Sequence, residues 1–171
     1  MGPITGIHSH LLITFSCYGW HIPGQPGAID RHHNAPGAPL PEPRPRLCQY
    51  VEARLKQAPF EMDAGQRFVT LEAIREVCLY KGWPLRAAQV RTNHIHTVVD
   101  VDVAPEMALD AFKRYASRAL NLLNPQQKSR SRWARHGSTR HLWSAEIIDA
   151  AVHYILEKQG EPMACYPSLE S

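Results

Sequence analysis

The residues best equipped for chemistry in this chain are two histidines in the run Asn93-His94-Ile95-His96-Thr97-Val98-Val99-Asp100-Val101. The run reads as a strand. Side chains alternate between the faces of a strand, so His94, His96, Val98 and Asp100 share one face and Ile95, Thr97, Val99 and Val101 the other. Two imidazoles two residues apart on a rigid strand can aim at a single point, which is what a divalent metal asks of its first ligands. An exposed polar strand face would leave the same pattern, so the rest of the chain has to separate the two.

Other chemistries with short signatures are missing. A histidine-triad hydrolase needs a third histidine two residues further on, where this chain has Val98. There is no His-Glu-x-x-His of a metalloprotease and no Gly-x-x-x-x-Gly-Lys loop for a nucleotide phosphate. The cysteines, Cys17, Cys48, Cys78 and Cys165, are scattered without paired spacing, which argues against a zinc ribbon or a disulfide framework. A net charge of +3 permits a polyanionic partner without demanding one. Its distribution says more. Lys113, Arg114, Arg118, Lys128, Arg130, Arg132, Arg135 and Arg140 crowd the C-terminal half, either as a solvated face or as a groove that tracks phosphates.

The elements that would hold the histidine strand follow from pattern and punctuation. Ile7 to Tyr18 is rich in Leu, Ile, Thr, Phe and Tyr and reads as a first strand. Residues 21–47 hold seven prolines and form a long loop, in which Asp30-Arg31-His32-His33-Asn34 either contacts substrate or is a polar island. A short helix fits Leu47 to Lys56. The next runs from Gly65 to Lys81 behind an Asp63 cap, with Phe68, Leu71, Ile74, Val77 and Cys78 as its apolar stripe and Gly82 as its stop. Leu85 to Val90 pairs with the histidine strand as a hairpin through Thr92-Asn93. Pro105 opens a helix to about Asn124, with Ala108, Leu109, Phe112, Ala116, Ala119, Leu120 and Leu123 inward. A basic loop follows, then a fourth strand around Ser138 to Leu142. Ser144 caps a last helix from Ala145 to about Gln159 that turns Ile148, Ala151, Val152 and Ile155 inward.

With 171 residues, 44% of them hydrophobic and 20% charged, the chain has the composition of one globular domain. Its longest apolar run is too short to cross a bilayer and its N-terminus lacks the features of a signal peptide, so a cytoplasmic location is expected. The element order predicts an α+β fold, an antiparallel sheet with helices packed on it. Helices would cover the face bearing Ile95, Val99 and Val101, or one helix would cover the histidine face and bring catalytic groups to it.

Four blocks, Leu12-Ile-Thr-Phe-Ser-Cys-Tyr-Gly-Trp20, Asn93-His-Ile-His96, Phe112-Lys-Arg-Tyr-Ala-Ser-Arg118 and Trp133 through Tyr154-Ile-Leu-Glu-Lys-Gln159, together resemble the single-tyrosine HUH transposases, most of all their compact REP-associated and domesticated forms. The resemblance spans one domain over residues 6–163. It implies a ferredoxin-like sheet, a homodimer, and an enzyme that binds hairpins in single-stranded DNA. Such an enzyme cuts and rejoins a strand with a divalent metal, Mg2+ or Mn2+, and a tyrosine nucleophile; the alternative is a catalytically silent, domesticated hairpin-binding protein. Carried over, His94 and His96 are the metal ligands and Tyr154 is the nucleophile. Tyr115, with Arg114 and Arg118 beside it, is the rival nucleophile.

The family often has Gln or Asn four residues after the tyrosine as a third ligand, but position 158 is Lys here. In an ideal helix Gln159 sits about 140° around from Tyr154 and Glu157 about 60°. Similarity therefore favours Gln159 and helix geometry favours Glu157, and Gln159 is carried as the third metal ligand. Imidazole donors suit Mn, Zn or Co better than Mg.

Overall fold

The computed structural model describes residues 8–25, 39 and 41–167, so Asp30-Arg31-His32-His33-Asn34 and most of the Pro-rich loop lie outside the described residues. Among the described residues, strands β1 (Ser9–Cys17), β2 (Leu85–Val90), β3 (His94–Val101), β4 (Trp133–His141) and β5 (Ala164–Tyr166) form one sheet in the order β4-β1-β3-β2-β5. Every neighbouring pair is antiparallel. The helices are α1 (Pro45–Glu52), α2 (Ala64–Lys81), α3 (Pro105–Leu123) and α4 (Ala145–Glu157), with a short 3-10 turn at Pro125–Gln127. The units β1-α2-β2 and β3-α3-β4 interleave so that β3 lies between β1 and β2. That is the ferredoxin-like arrangement the sequence predicts.

Local chemistry sets the helix ends. The Asp63 carboxylate accepts from the Gln66 backbone N–H at 2.8 Å, and the Gln66 side chain accepts from the Asp63 N–H at 3.0 Å. This reciprocal cap starts α2, and Gly82 stops it in the left-handed conformation, at φ 68°. Leu71, Ile74, Val77 and Cys78 are buried as expected, but Phe68 is 61% exposed. Gln66, Thr70 and Ala73 take part in the inward face instead, which rotates Phe68 outward. In α3, Leu123 likewise turns outward in the last turn, and Ala111 joins the buried set.

The sheet is covered on both sides, so both alternatives for the helices hold. Ile95, Val99 and Val101 join Leu11, Ile13 and Phe15 of β1 in the main core beneath α2 and α3. On the histidine face, α4 lays Ile148, Ala151, Ile155 and Leu156 over Ala87, Val98 and Leu142. One helix therefore serves the face that carries the histidines.

Three further differences from the sequence reading have simple causes. The first helix sits at Pro45–Glu52 because Pro45 suits its first turn. The fourth strand begins at Trp133, well before Ser138, and is largely exposed along the sheet edge, so it lacks the apolar alternation that marks a strand. β5 has only three residues, too few to show any period, yet Ala164, Cys165 and Tyr166 pair with Val90, Gln89 and Ala88. Burial pushes the Cys17 and Cys78 thiols up to about 12, so neither is a nucleophile at neutral pH.

At the far end of the histidine face, the buried Asp100 carboxylate accepts two-pronged hydrogen bonds from Arg86 (2.7 and 2.9 Å) and one from His10 Nδ1 (2.7 Å). Burial alone would raise the Asp100 pKa, but the bonds and charges of Arg86 and His10 outweigh it and hold the carboxyl below its usual range. A depressed folded-state pKa means stability that is present above the ordinary carboxylate range and lost as pH falls through the folded value. Asp100→Asn is expected to cost about 2 kcal/mol at neutral pH. Urea denaturation should show that this difference shrinks in acid.

Candidate active site

His94 and His96 open β3, the central strand, and point to the side that α4 covers. Their rings lie 4.8 Å apart in an edge-to-face arrangement. Each is held by a neighbour through Nδ1: His94 donates to Asn93 Oδ1 at 2.6 Å, and His96 shares a hydrogen bond with Thr14 Oγ1 at 2.8 Å. Assigning the proton to Nδ1 in both rings leaves both Nε2 atoms with a free lone pair. Thr14 comes from β1, directly across from His96 in the sheet register.

Burial lowers the pKa of both imidazoles. For His96, burial, the adjacent His94, His21 and Arg91 together push the value down to about 4, against the opposing hydrogen bond of Gln159. For His94, burial is again the leading cause, with Gln159 opposing and His21 and Arg91 adding to it. Neutral imidazoles with free lone pairs are what a divalent cation requires. Gln159 lies near enough to both rings to oppose the lowering in each. Among the described residues no group of three His, Cys, Asp or Glu could hold a metal ion. A cation here would have the two imidazoles and the Gln159 carboxamide oxygen to hold it.

Gln159 reaches the rings because α4 stops at Glu157, which frees it from the ideal-helix angle. The chain beyond is tied down from just past β2: Arg91 donates to the Glu161 carbonyl at 2.9 Å and to Gln89 Oε1 at 3.0 Å. Glu157 instead faces His153, 3.2 Å away, and both side chains are more than half exposed. Tyr154, on the same helix, is 48% exposed, and its ring centre is 6.3 Å from that of His96. Lys158 caps the helix through its backbone N–H to the Tyr154 carbonyl. Tyr115 is half-buried against the main core, on the opposite side of the sheet. The structure thus gathers His94, His96, Gln159 and Tyr154 and leaves Glu157 and Tyr115 apart.

Sequence reasoning passed over the roles of Thr14 and Asn93, though both fall inside the motif blocks. It also grouped all eight C-terminal cations together. Arg132 is buried and bonds to Asn121 Oδ1 and the Gln127 carbonyl at 3.2 Å, with its guanidinium 5.1 Å over the Phe60 ring. Arg130 bonds to the carbonyls of Ala58 and Pro59 at 3.2 and 3.0 Å. These two hold the fold together.

The family model described as "Transposase IS200 like" matches residues 56–157. The chain belongs to the IS200-like transposase family. Among solved structures it is similar to one described as a REP-associated tyrosine transposase bound to a REP hairpin, at 12% identity and a TM-score of 0.47, over 91% of this chain and 68% of that one. A search of curated proteins gave no match. Among the described residues, no helix is long and apolar enough to cross a membrane.

Proposed function

We propose that this protein is a metal-dependent tyrosine transposase: it binds single-stranded DNA that carries a hairpin, and cleaves and rejoins the strand through Tyr154. The observation that carries this reading is the pair of imidazoles 4.8 Å apart on the central strand, with the Tyr154 ring centre 6.3 Å from that of His96. A divalent cation, Mg2+ or Mn2+, held by His94, His96 and Gln159 would supply positive charge to the phosphate oxygens and the leaving 3′ oxygen.

The phenol oxygen of Tyr154 attacks phosphorus and loses its proton, and the bond to the 3′ oxygen breaks, that oxygen taking up a proton. The product is a 5′-phosphotyrosine. One phosphodiester replaces another, so rejoining by the reverse attack needs no nucleotide cofactor, in keeping with the missing phosphate loop. Asn93 and Thr14 orient the imidazoles throughout. The one-place shift of the glutamine, which would favour a silent hairpin-binding descendant, is offset by the early end of α4. A homodimer, as the resemblance implies, would carry two such sites, with each tyrosine supplied by the same or by the partner subunit.

The test is to incubate the protein with a labelled hairpin oligonucleotide bearing a single-stranded flank, with Mg2+ or Mn2+, and to look for a detergent-resistant adduct. Tight binding with no adduct in either metal would leave only a binding protein.

A further inference from the structure

The third donor of the proposed metal site, Gln159, sits on no regular element: α4 ends at Glu157 and β5 starts at Ala164. Something else has to fix it, because an unheld side chain gives up its rotamer freedom whenever it meets a cation. The groups that hold this connection lie on or beside the hairpin that carries the histidines. Arg91 donates through Nη1 both to the Glu161 carbonyl and to Gln89 Oε1, at 2.9 and 3.0 Å. Gln89, fully buried, extends the tie through Nε2 to Cys165 Sγ at 3.3 Å. Thr92 Oγ1 adds a weak contact to Met163 Sδ at 3.7 Å.

The sheet register ties the same anchors to the imidazoles. Gln89 stands directly across from His96, and the Arg91 backbone N–H donates to the His94 carbonyl at 2.9 Å. Residues paired across neighbouring strands share a face, so Gln89 flanks His96 on the side that α4 covers. Gly160 has a left-handed φ of 81°, and the place a Cβ would take there is 3.5 Å from Arg91 Nη2. Residue 160 therefore lies against the guanidinium in a conformation that glycine takes without strain.

A cation beside a metal site needs a reason to be there. Arg91 is close enough to add to the lowering of both imidazole pKa values, and what disfavours a proton on those rings disfavours a metal ion in the same way. Its charge opposes the site while its hydrogen bonds favour it, and the two effects have opposite signs. We propose that Arg91 is a positioning residue: it clamps the segment from Gln159 to Glu161 onto the histidine hairpin and so presents the carboxamide to a cation shared with His94 and His96. This rests on the reading of Gln159 as the third ligand and names what keeps that ligand in place.

The experiment is calorimetric titration of Mn2+ into the DNA-free full chain, with circular dichroism to establish that each variant is folded. Arg91→Ala is expected to bind Mn2+ about tenfold more weakly, the lower end of what loss of a supporting partner costs. Were its charge alone at work, the same substitution would tighten binding. Arg91→Lys, which keeps the charge and can still reach one carbonyl, should recover part of the loss. Gly160→Ala, which alters no charge, should also weaken binding. Because Arg91 acts through Gln159, the double variant Arg91→Ala/Gln159→Ala should bind as Gln159→Ala does, whereas a merely structural role would add its own cost. Unchanged or tighter binding in Arg91→Ala, or full additivity in the double variant, overturns the proposal. If Arg91→Ala does not fold, Gly160→Ala with and without Gln159→Ala carries the same comparison. Wild-type affinity in Gln159→Ala takes down the third-ligand reading and the clamp with it; loss in Gln159→Ala with none in Arg91→Ala takes down the clamp alone.

Discussion

Tyr154→Phe is expected to abolish the covalent protein–DNA adduct while leaving hairpin binding intact, and Tyr115→Phe to keep the adduct. Removing the hydroxyl takes away the only atom that would bond to phosphorus, so the loss should be on the order of 10^4-fold or greater. The ring remains to pack, and because Tyr154 is 48% exposed the fold should lose well under 1 kcal/mol. The comparison with Tyr115 has force because that residue shares the motif helix with two arginines but lies against the main core, across the sheet from the histidines. Denaturing gels with a labelled oligonucleotide read both variants in one assay. An adduct that survives in Tyr154→Phe and vanishes in Tyr115→Phe would reverse the assignment.

The second large effect concerns the metal. His96→Ala is expected to lower Mn2+ affinity by more than the roughly 100-fold that loss of a supporting partner costs, since it removes a donor outright. Gln159→Ala should weaken binding by about 10-fold to 100-fold, taking the cost of a supporting partner as the guide. Glu157→Ala should leave it unchanged, because that carboxylate faces His153. Calorimetric titration of the metal into DNA-free protein measures all three without reference to activity. Loss in Glu157→Ala with none in Gln159→Ala would transfer the third position to the carboxylate.

How far the residues alone reveal this arrangement depends on what kind of signal each position sends. The hairpin of β2 and β3 was readable because its strands are apolar and its turn is short, and α2 was readable from Asp63 and Gly82. Strand β4 was only half visible, since an exposed edge needs no apolar alternation, and β5 owes its existence to pairing with β2. The histidine pair announced itself by spacing. The partners Thr14 and Asn93 did not, because a hydroxyl or amide that orients a ring looks like any other polar residue until the sheet register sets it beside that ring. Gln159 is the sharpest case. Angles on an ideal helix turn Gln159 away from Tyr154, but α4 ends at Glu157, so that angle does not bind Gln159. Arg130 and Arg132 counted as surface charge in sequence, whereas Arg130 is held by carbonyls from the distant loop at 58–59 and Arg132 lies buried against Asn121, the Gln127 carbonyl and the Phe60 ring.

The two sides of the sheet are fastened with unequal strength. The imidazoles stand on the middle strand of five, braced by neighbours on either flank and by two helices behind. The phenol rides on α4, held through a smaller cluster of Ile148, Ala151, Ile155 and Leu156 over Ala87, Val98 and Leu142, with Leu12, Val152 and Cys165 at its edge. Segments anchored by few apolar contacts open locally at lower cost than the core around them. In the proposed mechanism the tyrosine arm would thus be the more easily detached half of the pair, and the histidines the half that keeps its aim.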